Sequence, residues 1–254
     1  LGSTSSVIHA DDGPEHKMVF TVPESDVDFT KTSFRAGMWE TSAMYGSPGA
    51  GSAAFGRNTR ADGAYSFCSG GGAGAGAQAL STYSFAHGQN SKVQAGSDSS
   101  VSFGAGSTIL NSTKSFIGSG AGSSLNGGGT CNAIITAGNG SNIGNTASTY
   151  CFIGAGDELV IGAGTISHRC AILSGSLNKI GNAGNTNGID GCANSVILGG
   201  TGNTITSATT GYNNFIIGSS CTINSVSSTS NNVLMGSYAR NGGFSSCFVW
   251  GDGG

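Results

Sequence analysis

His168 and Cys170 stand two residues apart, the closest approach of an imidazole to a thiol in the chain. A histidine beside a cysteine can take its proton and leave a nucleophilic thiolate. Residues i and i+2 of a strand share a face, but no acid stands near to orient the ring, so this spacing favours a surface or stacking role over catalysis. His9, His16 and His87 are scattered, with no His-Glu-x-x-His spacing to hold a metal. The adjacent acids Asp157 and Glu158 could supply half of a glycosidic acid–base pair, whose carboxyls stand about 5 to 9 Å apart, with Asp98 or Asp190 as the other half. Two neighbouring acids on a turn read more simply as a solvated surface, with calcium ligation a weaker alternative. The seven cysteines form no Cys-x-x-Cys pair, and their odd number prevents complete pairing within one chain. They read as small buried hydrophobes. The glycine runs 70–72 and 127–129 lack the Lys-Ser/Thr and the helix of a phosphate loop. No catalytic, cofactor-binding or metal-ligating residue is assigned, and no cofactor is expected.

The composition points the same way. Of 254 residues, 46 are glycine and 3 are proline, and charged residues make up 9%, against about 25% in ordinary soluble domains. Such a chain has too few large side chains for a wide three-layer core, which argues against an ordinary α/β enzyme. The low proline content excludes collagen, and the recurring β-branched and aromatic clusters argue against simple disorder. A net charge of -3 gives no reason to bind a nucleic-acid backbone, and no apolar run is long enough for membrane insertion.

The chain divides in two. Residues 1–45 hold all but one of the prolines, most of the aromatic residues outside the repeats and the extended segment Met18–Val22, and read as an N-terminal β cap or connector. Residues 46–254 form a repeat. Its apolar anchors include Ala54, Phe67, Phe85, Phe103, Phe116, Ala133, Phe152, Ala171, Val196, Phe215, Val233 and Phe248, with a modal step of 18 to 19 residues. A second beat follows about half a unit later, at Leu125, Ile143, Val160, Ile180, Ile205 and Ile223. Two short strands and two glycine turns per unit make one coil of a parallel β-solenoid (a β-roll or β-helix), so the fold class is all-β.

One such coil carries few large apolar side chains. Three tubes side by side or intertwined as a homotrimer would bury an apolar row that one tube leaves exposed. Asn194, Asn213, Asn214, Asn231 and Asn232 recur just before strands, where stacked amides would hydrogen-bond along the axis; Cys151 and Cys170 would form a thiol stack by the same logic. Departures from the period mark candidate receptor-facing positions: Tyr150, and Asn182, Asn185, Asn187 and Asp190 in the longest insertion. An aromatic ring beside amides and a carboxylate suits the stacking and hydrogen bonding of sugars.

The stretches "SAAFGRNTRADGAYSFCSG" and "NSVILGGTGNTI" resemble the head repeats of trimeric autotransporter adhesins. "NNFIIGSSCTI", "NNVLMGS" and the terminal "SCFVWGDGG" resemble shafts of phage and large-virus tail or surface fibres, in which a self-cleaving intramolecular chaperone commonly follows. The longer period and the Phe, Ile and Cys in place of Ala and Ser favour the viral version. The resemblance, covering residues 46–254, implies a left-handed coil, an obligate homotrimer and a non-enzymatic fibre. It also implies a place on the virion surface or tail, extracellular when acting, and attachment to a host cell-surface receptor, with carbohydrate as a candidate. A β-solenoid glycan-degrading enzyme and a passive structural spacer are the alternatives.

Overall fold

A computed structural model describes residues 8–10, 18–20, 34–36, 49–72, 76–129, 134–144, 150–162, 168–181, 192–207, 211–225 and 230–252. Two long parallel sheets run side by side. The first has 13 strands, from Phe34–Ala36 through Ala53–Phe55 to Phe248–Asp252; the second has ten, from Arg60–Ala61 to Thr222–Ser225. Strands of the two sheets alternate along most of the chain, so the middle coils each contribute one rung to each sheet and pair with the coils before and after, while the first and last described coils add rungs to the first sheet alone. This is a parallel β-solenoid. A short third pairing joins Cys192–Ala193 to Gly211–Tyr212, and Ile8–Ala10 pairs antiparallel with Met18–Phe20.

Each strand turns one residue inward, and the inward residues stack in columns. In the first sheet the column begins small, with Ala54, Cys68, Ala86 and Ser102, and then becomes Ile117, Ile135, Ile153, Ile172, Ile197, Ile216 and Leu234, all inaccessible to solvent. The second sheet changes in the same way, from Ala61, Ala79 and Val93 to Ile109, Leu125, Ile143, Ile161, Ile180, Ile205 and Ile223. Each buried isoleucine contributes about 1.5–3 kcal/mol, so most of the hydrophobic stabilisation lies in the later coils.

The corners explain the polar and glycine content. At the first corner Tyr65, Tyr83, Ser99, Lys114, Tyr150, Arg169, Asn194, Asn213, Asn231 and Ser246 all have left-handed backbone angles, with φ from 50° to 61°. Asparagine adopts this region more readily than most residues. The backbone N–H of Tyr65, Tyr83, Ser99, Lys114, Asn194, Asn213, Asn231 and Ser246 is bonded to the preceding coil, as from Tyr83 to Ala64 O at 2.9 Å and from Asn213 to Ala193 O at 3.1 Å. Glycines line the turn after each first-sheet strand because successive coils touch there. A Cβ on Gly218 would lie 1.8 Å from Gly236 O.

Among the described anchors only Ala54 fills the core column, and Ala133 lies outside the described residues. Phe67, Phe85, Phe116, Phe152, Val196, Phe215 and Val233 are half-buried on the outer side of the first sheet, Phe248 is exposed, and in each case the following residue points inward. Phe103 lies off their column, since Val101 pairs with both Phe85 and Phe116. In the second beat Ile161 fills the core position and Val160 faces out.

Candidate functional site

The outer face of the first sheet carries a long, chemically uniform row. In register it presents Ala53, Phe67, Phe85, Val101, Phe116, Phe152, Ala171, Val196, Phe215, Val233 and Phe248, with no charged residue among them. At about 4.8 Å per coil this row is roughly 50 Å long. A second outward position, two residues along, carries Phe55, His87 and Phe103 at one end and Ile217, Met235 and Trp250 at the other. Trp250 is 73% exposed and Phe248 66%. Beside them runs a groove of about 430 Å³ lined by Ile217, Met235, Trp250 and the backbone of Gly218, Gly236 and Gly251.

Aromatic rings connect the two rows. Phe67 stacks on Phe85 with centroids 5.0 Å apart, Phe85 meets Phe103 at 5.2 Å, and Phe103 meets Phe116 at 6.2 Å. Phe103 thus reaches diagonally across Val101 and keeps the ladder of rings continuous, which is why its spacing resembles an anchor.

The asparagines fall into two ladders. Asn194, Asn213 and Asn231 are exposed at the left-handed corner, where Asn213 Nδ2 donates to Asn231 Oδ1 at 3.0 Å. Asn214 and Asn232 are buried inside the tube in the column that also holds Ser195, Cys151 and Cys170. A further buried pair escaped the sequence reading. Asn178 Oδ1 accepts from Asn203 N, and Asn203 Oδ1 accepts from Cys221 N, both at 2.9 Å. In the sequence each stands directly before a second-sheet strand, Lys179–Ile180 and Thr204–Ser207, a place that serine, alanine, leucine or cysteine fills in other coils.

The thiols are chemically quiet. Cys170 is 1% exposed, and its Sγ donates to Cys192 O at 3.1 Å and His168 O at 3.4 Å. Burial pushes its pKa well above the usual thiol value, with the neighbouring Cys151 adding to the rise. Burial likewise raises Cys151 to about 11 and Cys192 to about 12. A neutral, enclosed thiol is no nucleophile, so proximity to His168 confers no reactivity.

Asp157 and Glu158 are exposed at the second corner. Asp98 lies at the first corner at least three coils earlier, so about 14 Å or more separates it from Asp157 along the axis, beyond the spacing of a glycosidase pair. Tyr150 is 61% exposed at the first corner. Asn182, Asn185, Asn187 and Asp190 lie outside the described residues. Thr222, Asn224, Arg240, Asn241, Gly242 and Gly243 line a cleft of about 420 Å³ beside the last second-sheet strand. Among the described residues no three His, Cys, Asp or Glu side chains gather to hold a metal, and no helix is long and apolar enough to cross a membrane.

Compared with known proteins, the chain matches no family model and no curated protein.

Proposed function

We propose that this chain is the shaft of a homotrimeric fibre whose first-sheet face packs against two further copies of itself, and that the fibre attaches a virus particle to a host cell surface. The observation that carries the assembly is the uncharged outward row. A strip roughly 50 Å long and about 10 Å wide offers on the order of 500 Å², as large as the biggest apolar patches that monomers expose, which are often functional. Its period matches the coil spacing, and a second copy of the same solenoid running parallel carries the same period over the same length. Three copies around one axis give each strip a dry environment with closed symmetry. The viral setting rests on the resemblance of the later coils to tail and surface fibres.

Light scattering coupled to size exclusion tests the assembly. The expected mass is three times the 25.0 kDa of one chain, falling to a single chain for Phe116→Glu and Phe215→Glu together. A wild-type protein that stays at one chain mass across concentrations overturns it. Saturable binding of the labelled fibre to cells of a susceptible host supports attachment, and its absence with the correct mass reduces the role to a spacer.

A further inference from the structure

We infer that the first corner carries a one-coil notch between Tyr83 and Lys114 that binds a single pyranose ring. On four successive coils the corner column reads Tyr65, Tyr83, Ser99 and Lys114. All four share one backbone conformation, with φ of 52°, 52°, 56° and 53°, and therefore one side-chain direction. Backbone bonds fix the stacking: Tyr83 N to Ala64 O at 2.9 Å, Ser99 N to Thr82 O at 3.0 Å and Lys114 N to Asp98 O at 3.0 Å. The rings of Tyr65 and Tyr83 stack with centroids 5.3 Å apart and planes within 9°. Below them Tyr65 leans over Gly51, where an added Cβ would lie 2.8 Å from its ring. Both faces of Tyr65 are thereby covered. Tyr83 has one free face, turned towards Ser99, and is 61% exposed.

Where a third tyrosine would continue the ladder, Ser99 leaves a gap. Two coils span about 9.6 Å, whereas a flat ring in van der Waals contact on both faces needs about 7–8 Å. The gap thus suits a puckered ring better than an aromatic one. Its wall is polar in the right sense. Asp98 Oδ1 accepts from Ser81 Oγ at 2.6 Å and from Thr82 N at 3.1 Å, which anchors this exposed carboxylate beside the notch. Adjacent sugar hydroxyls can donate to Oδ2 while accepting from the Lys114 ammonium, and the C–H face of the ring can lie on Tyr83. The notch deepens the attachment reading, on which its biological sense rests, by naming the receptor chemistry as a neutral pyranose.

Saturation-transfer NMR on the intact chain tests it, with methyl glycosides of glucose, galactose, mannose and N-acetylglucosamine as probes. At least one is expected to receive saturation. Tyr83→Ala should abolish the signal, and Asp98→Asn, which keeps an oxygen for Ser81 and Thr82 but turns the other into a donor, should weaken binding about tenfold. Tyr65→Ala should leave it within twofold. The deciding variant is Ser99→Tyr, which fills the notch with a residue the same corner accepts at three other coils: binding is lost with the melting temperature retained. Transfer to none of the four glycosides, or full binding by a folded Ser99→Tyr protein, overturns the notch. Neither result depends on oligomeric mass or cell binding, so failure of the notch and failure of the fibre reading are separately visible.

Discussion

Asn232 donates from Nδ2 to Asn214 Oδ1 at 3.0 Å inside the tube, while its own Oδ1 accepts the backbone N–H of Cys247 at 3.1 Å. One buried amide therefore joins three consecutive coils. Removing it leaves the Cys247 N–H without this partner, at about 1–3 kcal/mol, and leaves Asn214 Oδ1 the longer bond from the backbone N–H of residue 232 at 3.4 Å. Chemical unfolding of Asn232→Ala should show a loss in that range or somewhat above. Asn232→Ser should recover part of it, because Ser195 holds the equivalent place two coils earlier and its Oγ accepts from Asn214 N at 3.4 Å. Equal losses for the two variants would show that the amide contributes only volume.

Two glycines separate contact from conformation. Gly218→Ala drives a methyl into Gly236 O at 1.8 Å, a backbone atom that cannot move without breaking the coil pairing. Gly122 has φ of 67° with nothing within 4 Å of an added Cβ, so Gly122→Ala costs only the left-handed strain of about 1–2 kcal/mol. Thermal melting should find Gly122→Ala modestly destabilised and Gly218→Ala unfolded or insoluble.

Inward and outward apolar residues should respond to different measurements. Ile172→Ala opens a cavity in the core and should cost about 2–5 kcal/mol of unfolding free energy at any protein concentration. Phe215→Ala removes a half-buried outward ring and should cost one chain less than about 1 kcal/mol, with its larger effect appearing as a concentration-dependent fall in mass. A core-sized, concentration-independent loss for Phe215→Ala would contradict its outward position.

The thiols make two linked expectations. At pH 8 a thiol reagent should modify half-buried Cys247 first and leave buried Cys151, Cys170 and Cys192 untouched until the chain unfolds. Their folded pKa values are raised, so the stabilisation is complete below the unfolded thiol value near 9 and declines as pH rises towards about 11 and 12 for Cys151 and Cys192. Denaturant midpoints measured from pH 8 to 11 should fall, and fall less in a Cys151→Ser, Cys192→Ser variant.

The two-strand coil was legible in the repeat because apolar clusters recur every 18 to 19 residues, with a second apolar beat about half a unit later and glycine turns between them. The facing of each strand was not. In Phe215-Ile216-Ile217 and Val233-Leu234-Met235 the apolar residues run consecutively, so both sides of the sheet are apolar and the usual alternation disappears. In the early coils the core holds Ala54, Ala86 and even Ser102, while Phe67 and Phe85 lie outside, which inverts the expectation that the largest side chain is innermost. Nothing in a lone tyrosine announces the left-handed corner at which Tyr65 and Tyr83 stand. Only the stacking of one coil on another reveals that column.

The change from alanine to isoleucine along both inner columns also sets an order of events during synthesis. Each coil is held chiefly by its immediate neighbours, so structure can spread one coil at a time from wherever it first becomes stable. The alanine-lined coils leave the ribosome before the isoleucine-lined coils that follow them. Within this stretch the segment around Ile109 and Ile117 is the first with large side chains in both inner columns, so folding started there spreads backwards over chain already made as well as forwards with chain still arriving.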